Sequence, residues 1–108
     1  MANTFKSVGT SSIGTTKTTI YTAPAATTST VIGLSVANII TGVAVVDIIL
    51  VKGASEFYII KNAPIMPGGT LIAVGGDQKL VMETGNIVKV ISTVASSVDA
   101  IVSILEIS

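Results

Sequence analysis

The sequence predicts an all-β chain: a single-domain antiparallel β-sandwich, jelly-roll or Ig-like, with about eight strands and an extended N-terminal arm. Three observations predict it. β-branched residues dominate the apolar segments, turn signals recur about every ten residues, and no stretch carries a capped 3.6-residue apolar period. The 108 residues amount to one domain.

Thr and Ser dominate the opening. Residues 1–17 hold isolated apolar side chains (Phe5, Val8, Ile13) among Ser, Thr and Gly, with Gly9 and Gly14 as breakers. That is too polar for a core of its own, and predicts an arm with one short strand over residues 2–8. The sandwich is assigned to residues 18–108. Its first strand, residues 18–23, ends at Pro24, and the next spans residues 30–40. Thr41-Gly42 is read as a tight turn into residues 43–52, and Gly53-Ala54-Ser55 as a turn into residues 56–62. Pro67-Gly68 suits a type II turn, because Gly accepts positive φ at the third position. Strands at residues 70–74, 79–83, 87–94 and 98–107 follow, separated by Gly75-Gly76-Asp77, Thr84-Gly85-Asn86 and Ala95-Ser96-Ser97. No internal repeat is present.

Several strands are apolar on both faces. In residues 43–52, Val46, Ile48 and Leu50 alternate with Val43, Val45, Asp47, Ile49 and Val51. In residues 98–107, Ile101, Leu105 and Ile107 lie opposite Val98, Ala100, Val102 and Ile104. A free-standing sandwich alternates apolar inward and polar outward, so the second face is covered either by loops or by a neighbouring subunit. Only 11% of residues are charged, against about 25% in ordinary domains, while 49% are hydrophobic. Charge this sparse favours the interface, and the candidates are Val43, Val45, Ile49, Val51 and Tyr58. Of Phe57 and Tyr58, which point to opposite faces, one is expected in the core and the other at a contact.

The same inventory excludes much chemistry. His, Cys, Arg and Trp are all absent, which removes the usual neutral-pH base, thiolate nucleophiles, imidazole or thiolate zinc sites and the bidentate Arg clamp. The six carboxylates are scattered singly, not paired across a cleft. No catalytic residue, metal site or cofactor is assigned, and the chain is read as no enzyme. Net charge is zero with six dispersed Lys, which offers no phosphate-binding patch, so no nucleic-acid partner is expected. Residues 31–51 are apolar enough to resemble a membrane span, but their β-branched content and Asn38, Thr41, Gly42 and Asp47 favour two strands, so no membrane partner is assigned. The residues after Met1 lack a charged and then apolar leader, and no signal peptide is expected.

Ordered segments then carry a resemblance. Ile20-Tyr21-Thr22-Ala23-Pro24-Ala25, Val31-Ile32-Gly33-Leu34-Ser35-Val36-Ala37-Asn38, the run from Tyr58 to Gly69, Leu80-Val81-Met82-Glu83-Thr84-Gly85-Asn86 and Ile104-Leu105-Glu106-Ile107 resemble small virion structural proteins of tailed bacteriophages, particularly marine phages. The order and spacing carry the likeness, which begins near Thr18; Asn86 departs from it, since such proteins often place Asp there. The resemblance implies a sandwich that decorates a capsid or sits in the neck, tail or fibre, in a virion assembled in the host cytoplasm. It implies as partners copies of itself and the major capsid protein or another virion protein. The expected function is a capsid decoration or cement subunit. The alternatives are a neck, tail or fibre subunit, or a carbohydrate- or surface-binding β module.

Overall fold

In a computed structural model, which describes residues 2–108, nine strands form and no helix is present among the described residues. They are β1 (Asn3–Ile13), β2 (Thr18–Thr22), β3 (Thr28–Asn38), β4 (Ala44–Lys52), β5 (Ser55–Ile65), β6 (Thr70–Val74), β7 (Leu80–Met82), β8 (Ile87–Ser92) and β9 (Val98–Ile107). One sheet, here sheet A, has the order β1-β9-β3-β6, with β7 also on β3; the other, sheet B, has the order β2-β8-β4-β5.

All pairings are antiparallel, and one set is nested: β4 with β5, β3 with β6 and β7, β2 with β8, β1 with β9; β3 with β9 and β4 with β8 join these rungs into the two sheets. This is one long hairpin folded over so that successive rungs fall into alternate sheets, the connectivity of a jelly roll rather than an Ig-like sandwich. β6 and β7 run in line along β3, since Leu34 faces Val74 and Val31 faces Leu80. They act as one edge strand interrupted by residues 75–79; the eight expected strands are all present, and the ninth is β1, in the segment expected as an arm.

The core lies between the sheets. Val31, Leu34 and Val36 of β3 and Val98, Ala100, Val102 and Ile104 of β9 face Val46, Ile48 and Leu50 of β4 and Val88 and Val90 of β8. Each Val, Leu or Ile side chain among them contributes roughly 1.5–3 kcal/mol on burial. A bulge between Val31 and Gly33 leaves Ile32 outside the ladder, so Val31 turns inward beside Leu34 and Val36 despite its odd number.

Three expectations are corrected. The 1–17 segment is not a free arm: Asn3–Ile13 is a full edge strand on β9, and Ile13 is buried in the core. Its polar composition suits an edge strand, which needs few apolar contacts because the β9 ladder holds its backbone; Met1 lies outside the described residues. Thr41-Gly42 does not join two strands of a hairpin, because β3 and β4 belong to different sheets and residues 39–43 cross between them. Asn38 shapes that crossing, donating from Nδ2 to Gly42 O and Ile65 O (both 2.8 Å) while its Oδ1 accepts from Ile40 N. Finally, neither Phe57 nor Tyr58 is in the core: both are about half exposed near the tip of the β4–β5 hairpin, on the outermost strand of sheet B.

Other turns form as read. Gly53 has φ 60° between Lys52 and Ser55, as the first central residue of a type II′ hairpin requires. Gly68 has φ 74°, and Gly69 N donates to Met66 O at 2.8 Å, closing the expected turn after Pro67.

Candidate interaction surface

The two outer faces of the sandwich differ in charge. On sheet B, Val45, Asp47, Ile49 and Val51 of β4 point outward, opposite the core-facing Val46, Ile48 and Leu50. Lys89 lies opposite Ile49 on β8, and Tyr58 and Glu56 face Ile49 and Val51 on β5. Lys61 Nζ sits 4.3 Å from the Tyr58 ring centroid, and Lys17 Nζ pairs with Glu56 at 3.0 Å. The bond to Glu56, helped by the nearby Tyr58 and Asp47, raises the Lys17 pKa above its ordinary value. Beneath this polar layer Ile49 is 0% exposed.

The candidate interface residues therefore separate. Ile49 is buried by its own chain, so docking there would remove no further surface from water. Val45 and Val51 are half-buried, while Tyr58 and the crossing-loop residue Val43 are each 44% exposed. The structure does not bring the five together as one open apolar patch.

The outer face of sheet A is different, and its strand register builds it in rows. Phe5, Leu105, Thr30 and Val81 form one row across β1, β9, β3 and β7. Gly9, Ile101, Ser35 and Ile72 form another, across β1, β9, β3 and β6. Between them lies a row of small residues, Ser7, Ser103 and Gly33. These rows hold no carboxylate; Asp99 lies at the rim, one row beyond Ile101 and opposite Ala37, where it accepts from Ser12 N at 2.8 Å. Phe5 is 72% exposed, Ile72 63%, Val81 57% and Ile101 54%.

Ile101 stands between two hollows. One, of about 240 Å³, is lined by Gly33, Ser35, Ile72 and Ser103, and the other, of about 210 Å³, by Gly9, Thr10, Ser11 and Asp99. Neither glycine is required by packing within the chain. A Cβ at Gly9 would meet nothing within 4 Å, and one at Gly33 would make ordinary contact with Ser103 Cβ at 3.9 Å and Val74 O at 4.0 Å. Neither has positive φ. Glycine inside a strand weakens it and marks either a bulge, as beside Gly33, or room for close approach by another molecule, as at Gly9. The face spans roughly 500 Å² from strand spacing and length, within the range at which an exposed apolar patch signals an interaction.

Sequence reading missed Phe5, Ile72, Val81 and Ile101 as a group. The doubly apolar β9 was the available signal for Ile101; Phe5 was hidden in a segment read as an arm.

Five of the six carboxylates have structural partners: Asp47 accepts from Asn62 N, Asp99 from Ser12 N, and Glu56, Glu83 and Glu106 pair with Lys17, Lys52 and Lys6. Among the described residues no three His, Cys, Asp or Glu gather into a group able to hold a metal, and no helix is long and apolar enough to cross a membrane. No family model matches the chain, and neither does any curated protein or solved structure.

Proposed function

We propose that this chain is a structural subunit of a tailed-phage virion, a capsid decoration or cement protein that docks on the shell through the outer face of sheet A. The observation that carries the reading is the nearly uncharged character of that face, with its exposed apolar rows and two glycine-floored hollows. A protein surface seated there would desolvate few charges, and its side chains could enter the hollows beside Ile101. The resemblance to small phage structural proteins supplies the virion, and jelly rolls recur in viral capsid proteins.

A neck, tail or fibre subunit is the second reading, and the same face would serve it; only copy number separates the two. The carbohydrate-binding alternative is less well supported, because it calls for a row of exposed Tyr and Asn in a groove. Tyr21 is buried and Tyr58 is capped by Lys61.

The experiment is to add purified protein to particles stripped of it, comparing wild type with Ile101→Lys. Saturable rebinding by wild type and none by the folded variant supports the reading. Equal rebinding by both would remove sheet A from the docking role.

A further inference from the structure

Sandwiches expose strand edges, and this one protects three of its four. β2 is short and carries a register shift between Thr19 and Tyr21. β5 contains Pro64 and Lys61 and two register shifts against β4. The β6–β7 edge is interrupted by residues 75–79. Short strands, Pro, Lys and bulges are the usual means of blocking edge-to-edge pairing. β1 has little of this: it runs in unbroken register from Asn3 to Thr10, with Lys6 its one charged residue.

The ladder fixes which backbone groups are free. Ala2 and Ser108 exchange both hydrogen bonds, N to O at 3.0 Å each way. Hydrogen-bonded and non-hydrogen-bonded pairs alternate along an antiparallel ladder. Thr4, Lys6, Val8 and Thr10 therefore bond to β9, and Asn3, Phe5, Ser7 and Gly9 turn their N–H and C=O toward the open edge.

We infer that β1 pairs antiparallel with β1 of a second copy about a two-fold axis at Ser7, joining two A sheets into one. Several registers can be compared. Residues directly opposite share a sheet face, so odd residues must face odd and even face even. An axis at Lys6 sets Lys6 against its own copy, a like-charge pair. Axes at Phe5 or Val8 shorten the paired stretch. The axis at Ser7 pairs every residue from Thr4 to Thr10 and sets Lys6 opposite Val8. It also sets Phe5 of each copy opposite Gly9 of the other, in hydrogen-bonding positions. The exposed Phe5 ring then lies over the glycine that has nothing within 4 Å of its missing Cβ. An aromatic side chain covering a cross-strand glycine is a known means of stabilising such pairs.

The occupant is thus a second copy because strand length, charge and the Phe5–Gly9 fit are all self-complementary, as a two-fold interface demands. The pairing also places both outer A faces on one side, doubling the platform to roughly 1,000 Å². The inference stands whether or not the chain is a virion protein.

The test is sedimentation equilibrium of the full chain, with Ser7→Pro, Ser7→Cys and Asn3→Cys variants. Pro at position 7 deletes a free-edge N–H and leaves the β9 bonds untouched. The chain has no Cys, so an oxidised single-Cys variant can cross-link only between copies. Opposed Ser7 positions, about 5.5 Å apart at Cα, suit a disulfide, whereas opposed Asn3 positions lie far apart. The expected result is a wild-type dimer, about tenfold or more weaker in Ser7→Pro with unchanged circular dichroism, and cross-linking of Ser7→Cys but not Asn3→Cys. A monomeric wild type, or equal cross-linking by both cysteine variants, overturns the inference. If Ser7→Pro fails to fold, the cysteine comparison decides alone.

Discussion

Tyr21 of β2 donates its phenolic hydrogen to Glu106 of β9 at 2.5 Å, a bond that ties sheet B to sheet A. Ser29 Oγ lies 2.7 Å from the same phenol oxygen, and Lys6 Nζ reaches the other Glu106 oxygen at 3.5 Å. One side chain from each of four strands therefore meets at this end of the sandwich. Burial, and then the bond to Glu106, push the Tyr21 pKa up to about 12.

The Tyr21 site gives the fold a dependence on alkaline pH. The folded state holds the phenol proton more tightly than the unfolded chain, whose value is 10.0. The stabilisation is complete below pH 10 and is lost as pH rises toward about 12. Denaturant titrations across that window should show falling stability in wild type and a smaller fall in Tyr21→Phe. At pH 7 the variant should lose about 1.5–3 kcal/mol, since it removes the bond to the charged Glu106 and the contact with Ser29 Oγ.

Asn38 satisfies three backbone groups where the chain crosses between sheets. Asn38→Ala strands Gly42 O, Ile65 O and Ile40 N, and should cost about 2–4 kcal/mol by thermal or chemical unfolding. A loss under about 0.5 kcal/mol would show that these groups are readily satisfied without it.

The glycines divide into structural and surface kinds. A Cβ at Gly14 would stand 3.0 Å from Ser96 N and 3.2 Å from Ala95 Cα, both backbone atoms. Gly14→Ala should therefore destabilise by about 1–3 kcal/mol. Gly33→Ala should be neutral or stabilising by up to about 1 kcal/mol while partly filling the hollow beside Ile101. Equal losses at the two positions would contradict this division.

Ile49 and Ile101 also separate core from surface. Ile49→Lys places a charge in a site with no exposure and should unfold the domain or cost more than about 3 kcal/mol. Ile101→Lys should change stability by no more than about 0.5 kcal/mol. Circular dichroism melts of the two variants check this directly.

Much of this fold was legible because its signals are local. Pro67-Gly68 and Gly53 forecast their turns, and the apolar period of two located β4 and β9. What was not legible depends on partners distant in sequence. The bulge at Ile32 breaks the period of two and turns Val31 inward, and nothing near Ile32 announces it. Ile49 looked like an outward apolar residue, and it is one, but Lys89 and Tyr58 on neighbouring strands help to cover it. The outer face of sheet A joins Phe5, Val81 and Ile101 through pairings on β9 and β3, so its residues are scattered across the whole sequence.

Copy number in purified particles, measured by quantitative mass spectrometry against the major shell protein, tests the central claim most directly. A decoration subunit predicts a ratio near one or a simple fraction of it. A few copies per hundred would move the chain to the neck or tail, and absence from particles would contradict the virion reading.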